Sequence, residues 1–91
     1  MVSMDDVLEL LIGFSKQLGS FDESIQQSSR ELHNCHAEVD PLWHDSFRSK
    51  YDEMWTPLEE QLEQYLRSEA PDYEDFLERK IRYLEEYLHG E

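Results

Sequence analysis

A chain of 91 residues has room for one domain, and one this short buries a modest share of its surface. Charged residues make up 33% and apolar residues 38%, which excludes a large core and favours amphipathic helices with one apolar stripe each; the 12% aromatic content argues against disorder. The net charge of −14, from 22 acidic and 8 basic residues, excludes direct nucleic-acid binding, disfavours an anionic membrane surface, and leaves a basic protein partner compatible.

Cys35 is the single cysteine, so no internal disulfide supports the fold. No long uncharged apolar run occurs, and no membrane insertion is expected. Asp5, Asp6 and Glu9 in the first twelve residues argue against an ordinary signal peptide. The expected localisation is cytoplasmic, with export without a cleaved signal peptide left open.

The first segment opens with Ser3 and, three residues on, Asp6, a capping-box arrangement. Met4, Leu11, Leu18, Ile25, Leu32 and Val39 follow at intervals of seven. Val7, Phe14, Phe21, Ser28 and Cys35 fall three after the first five of these. This a/d series predicts a helix over about 4–37 that packs in coiled-coil fashion against a neighbour. It predicts burial of Leu11, Phe14, Leu18, Phe21, Ile25 and Leu32. Ser20 and Glu23 form a second capping box beside Gly19, so an interruption there competes with one continuous helix.

Asp40-Pro41 is a helix-start signal. Asp accepts from free N–H groups of a first turn, and Pro suits the first helical position. A bend at 38–42 is predicted, with Trp43 just beyond it on a second helix. That helix, about 42–68, carries Phe47, Tyr51, Met54, Trp55, Leu58, Leu62, Tyr65 and Leu66 at spacings of three and four. Pro57 predicts a kink near 56, because it removes a hydrogen bond and crowds the preceding turn. Pro71, followed by Asp72, Glu74 and Asp75, reads as the start of a third helix over about 71–89, since acidic groups complement a helix N-terminus. Tyr73, Phe76, Leu77, Ile81, Leu84 and Leu88 form its stripe, and Gly90 is a stop signal. The fold class expected is all-α: an antiparallel helical hairpin with a kinked second arm and a short third helix, in one domain.

His33, Cys35, His36, Asp40, His44 and Asp45 are the only cluster of ligand-type residues. Their spacing fits neither HExxH nor CxxC, so a polar loop with a buried thiol is the reading, and no metal or cofactor is expected. No nucleophile has a base beside it, no Gly-rich loop occurs, and no catalytic residues are assigned. Trp43, Phe47, Tyr51, Trp55, Tyr83 and Tyr87 are the expected structural or interface residues, because Trp and Tyr favour such anchoring roles.

The run from Trp43 to Trp55, just past a mid-chain bend and after a long periodic helix, resembles the second helix of the Trp-x-Gly family. These are small helical hairpins, the early-secreted-antigen-like substrates of type VII secretion. The resemblance implies a hairpin that pairs with itself or a paralogue and that can be exported. It also implies a Tyr-x-x-x-Asp/Glu export element, matched by Tyr87 with Glu91 and by Tyr65 with Glu69. The chain departs from the family in carrying Asp45 where Trp-x-Gly has Gly, and in Pro57 and Pro71. The resulting expectation is a non-enzymatic, dimerising interaction module whose partner is itself or a paralogous helical protein. The alternative is an acidic inhibitor or immunity-type protein that covers a basic site on a target.

Overall fold

The computed structural model describes residues 2–90. Helix α1 spans Met4–Val39 and α2 spans Arg48–Gln64. A π-helical turn, Tyr65–Glu69, joins α2 directly to α3, Ala70–His89. The chain is thus an all-α hairpin with a long, kinked second arm, and no strand occurs among the described residues.

Local signals set several helix ends. Asp6 N–H donates to Ser3 Oγ at 3.2 Å, and Ser3 N–H donates to the Asp6 carboxylate at 3.3 Å. Gly90 takes φ 71°, a left-handed stop that a Cβ would strain, and its N–H donates to Glu86 O at 3.0 Å. Between these ends α1 runs unbroken through Gly19 and Ser20, so the second capping box is unused.

The bend differs from its prediction. Asp40 ends α1 rather than starting α2: its N–H donates to His36 O at 2.8 Å. The connection runs on to Phe47, α2 begins at Arg48, and Trp43 sits in the connection rather than on the second helix. Asp45 explains the delay. Its Oδ1 accepts from Phe47 N–H at 2.9 Å and from the Trp43 indole at 2.8 Å, a local turn that competes with helix.

The interruption of the second arm is also displaced. α2 continues through Pro57, with no break at 56. The break falls at the π turn, where Ala70 N–H donates to Tyr65 O, five residues back. Pro71 is the second residue of α3, within one position of its expected place at the start of the third helix, and the π turn joins that helix directly to α2. An α turn would press its ring against the carbonyl four residues earlier, and the wider π turn ahead of it relieves that.

The seam between the arms is rotated from the predicted a/d stripe. Leu11, Leu18 and Ile25 are half-buried as expected. Phe14, Phe21 and Leu32 are exposed, Phe14 by 58% and Phe21 by 53%. The contact instead runs through Leu8, Ser15, Gly19, Asp22, Ser29 and His36. Small residues there let the helices approach, and the Phe rings ride on the rim. α1 packs most closely against α3; beside α2 the arms stand wider, and large rings bridge the gap.

The molecule measures 65 × 24 × 16 Å, a single layer two helices wide. Only Leu8, Ala70 and Leu84 are buried apolar residues among those described. The exposed surface is 7396 Å², whereas a compact monomer of this mass exposes roughly 5,600 Å².

Candidate functional site

One broad face of the hairpin is apolar along its length. Phe14 and Leu32 lie five whole turns apart on α1 and share one azimuth, as do Phe21 and Val39. Phe21 meets Tyr65 edge to face at 6.5 Å. A groove of about 350 Å³ runs between Phe14 and Leu18 on one arm and Tyr65, Tyr73, Phe76 and Leu77 on the other. A second, of about 360 Å³, lies nearer the bend, where Leu32 and Val39 face Trp43, Tyr51, Trp55 and Leu58. The opposite face is polar, with Asp22, Glu23, Gln26 and Glu74 around a cleft of about 200 Å³.

The bend end is built from stacked rings. His36 lies flat on Trp55, centroids 4.5 Å apart and planes 5° apart, and its Nδ1 is 2.8 Å from the Tyr51 hydroxyl. Tyr51 in turn packs on Trp43 at 4.9 Å. His33 Nδ1–H donates to Ser29 O at 2.7 Å, and its Nε2 lies 3.1 Å from Glu59. Of the predicted interface residues, Trp43, Tyr51 and Trp55 therefore come together. Phe47 points outward beside them. Tyr83 and Tyr87 are exposed on α3, well away from the cluster. Glu91, half of one proposed export element, lies outside the described residues. In the other candidate, the Tyr65 hydroxyl is taken by Asp22.

Among the described residues no three His, Cys, Asp or Glu side chains converge as a metal site, and no helix is long and apolar enough to cross a membrane. Cys35 is exposed at the rim of the bend groove, which corrects the expected buried thiol.

Arg48, which the sequence reading passed over, organises the connection. Its guanidinium donates to the carbonyls of Asp40 at 3.1 Å and Trp43 at 3.0 Å, to Asp52 at 2.9 Å, and to the Asp40 carboxylate. The hydrogen bond and charge of Arg48 hold Asp40 below its usual carboxylate range. Only the forked geometry of guanidinium reaches four acceptors in different directions. Arg48→Lys is expected to lower the melting temperature almost as far as Arg48→Ala does. An Arg48→Lys midpoint equal to wild type would refute this role. Below the ordinary carboxylate value of 3.8 the difference should shrink, because Asp40 loses the charge Arg48 holds as pH falls through its depressed pKa.

The fold and this surface define a class: an all-α helical hairpin with one apolar and one acidic face. Beyond the class, comparison adds nothing, since no family model, curated protein or solved structure matches the chain.

Proposed function

We propose that this chain is a non-enzymatic interaction module that works as a dimer, with two hairpins joined through their apolar faces. The observation that carries the reading is the uncovered face holding Phe14, Phe21, Leu32, Tyr73 and Phe76. Contiguous apolar surface of this extent marks a contact site. A second copy is the favoured occupant on grounds of area. The hairpin exposes roughly 1,800 Å² more than a compact monomer, and a standard interface takes about 800 Å² from each partner. Two single-layer hairpins face to face make a two-layer bundle, which supplies the core that one chain lacks.

The Trp-x-Gly resemblance agrees with this in shape. Extended to transport, it assigns the export element to Tyr87 with Glu91, and Tyr87 is 68% exposed. The acidic polar face and the net charge support a second reading, an inhibitor that covers a basic site on a target.

Sedimentation equilibrium at low and high salt separates the two. Self-association should strengthen with salt, which screens the repulsion between two chains of charge −14. Phe76→Glu should leave a monomer of unchanged helicity, because Phe76 is 62% exposed and carries little of the hairpin's own packing. A strict monomer at high micromolar concentration under both conditions would exclude the self-dimer. It would also move the reading to a basic partner, whose binding salt weakens.

A further inference from the structure

On the polar face, Asp22 is 7% exposed, an unusual place for a carboxylate. It reaches across the hairpin from α1, and its Oδ1 accepts from the Tyr65 hydroxyl of the π turn at 2.6 Å. Its Oδ2 is closed off from solvent and has no hydrogen-bond partner. A buried carboxylate oxygen without a donor is costly. Glu74 of α3 lines the same cleft, with its Oε1 beside Gly19, where a Cβ would sit 3.7 Å away. The charged or titratable groups facing this pair are Glu23 from α1 and Tyr65 from the π turn, with Tyr73 of α3 beyond Tyr65 on the apolar side. None is a cation. A proton carried by Glu74, which lines the same cleft, would supply the donor that Asp22 Oδ2 lacks.

We propose that Asp22 and Glu74 share one proton and so form a pH-responsive clasp between the two arms at mid-length. With the proton in place, the Glu74 O–H donates to Asp22, the Tyr65 O–H donates to the other oxygen, and one negative charge is held between the arms. When the proton leaves, two carboxylates face each other beside Glu23, and the arms are pushed apart. Tyr65 carries the effect through the molecule, because its hydroxyl belongs to the clasp and its ring lines the apolar groove on the other face. The clasp thus couples pH to the shape of that groove.

Burial first, and then the charge of Asp22 and a hydrogen bond with it, raise the Glu74 carboxyl above its ordinary value of 4.5. A group raised on folding adds stability that is complete below its unfolded value and is lost as pH rises through its folded value. The melting temperature should therefore fall as pH rises from 4.5 toward neutrality. General charge repulsion gives a slope of the same sign, so the comparison is between variants of equal charge. Glu74→Gln should flatten the slope and raise the neutral-pH melting temperature, while Glu85→Gln, on an exposed site of α3, should leave the slope as in wild type. In the wild-type protein, the Glu74 side-chain carboxyl carbon, followed by NMR, should titrate above 4.5, and in the Asp22→Asn variant, which lacks the facing charge, its midpoint should move down. Equal slopes for the two Gln variants would overturn the clasp, as would a Glu74 midpoint at or below 4.5 in wild type.

Discussion

Leu84→Ala is expected to cost about 2–5 kcal/mol, the range for emptying a buried leucine site. Leu84 is 1% exposed and is the one large side chain fully enclosed among the described residues. It lies near the end of α3, where the antiparallel arrangement brings the start of α1 alongside. The loss has two parts: the transfer energy of the deleted atoms and the cavity left between two helices that cannot collapse onto it. The effect is large because so few side chains share the load. Domains are stable by about 5–15 kcal/mol in total, and here Leu8 and Ala70 are the only other buried apolar residues among those described. Leu10→Ala is the matched control. It removes the same atoms from a site 69% exposed, and should change stability by no more than about 0.5 kcal/mol. Urea denaturation of both variants at one protein concentration gives the comparison. Equal midpoints for Leu84→Ala and wild type would remove Leu84 from the core.

Deletion of Arg79 should be far more disruptive than deletion of Arg67. Both residues are exposed, so neither side chain carries packing. Arg67 lies in the π turn, which holds one residue more than an α-helical ladder requires. Removing it restores regular spacing and leaves α2 and α3 in nearly the same relative orientation. Removing Arg79 from the regular ladder of α3 instead rotates the rest of that helix by about 100°. Ile81, Leu84 and Leu88 would then leave the seam together. For the Arg79 deletion, helical circular dichroism should persist while the cooperative thermal transition is lost or moves far down. Equal melting of the two deletion variants would mean that the π turn does not absorb a surplus residue.

The two experiments probe different scales of order, and the same division separates what was readable in the residues from what was not. The 3.6-residue periodicity, the Ser3–Asp6 box and the Gly90 stop act within one or two turns of chain. Side chain and backbone partner are neighbours in sequence, so composition alone carries the information. The hairpin follows almost as directly, since two long amphipathic helices and a polar connection leave few other ways to bury their stripes.

The bend and the kink depended on competition between local signals. Asp40-Pro41 could have started a helix, but Asp45 and Arg48 gather the neighbouring backbone into a longer connection. Pro57 predicted a kink, yet α2 runs on through it, and the break in the α-helical ladder falls at the π turn before Pro71. Each signal was visible, and which one prevailed depended on where the two arms had to meet.

By itself the sequence determined an acidic all-α hairpin, its helix type along nearly all its length, and an apolar surplus that one chain does not bury. Tertiary structure alone decided which side of α1 faces inward. The heptad offered Phe14 and Phe21 as the seam, and the fold chose Ser15, Gly19, Asp22 and Ser29, leaving the rings outside. Nothing within a few residues of Asp22 marks it for burial. Its partner Tyr65 is 43 positions away, and Glu74 is farther still. The physical reason is one of range. A cap or a stripe is settled by neighbours along the chain, whereas the close approach of small residues and the pairing of buried carboxyls exist only once both arms are in place.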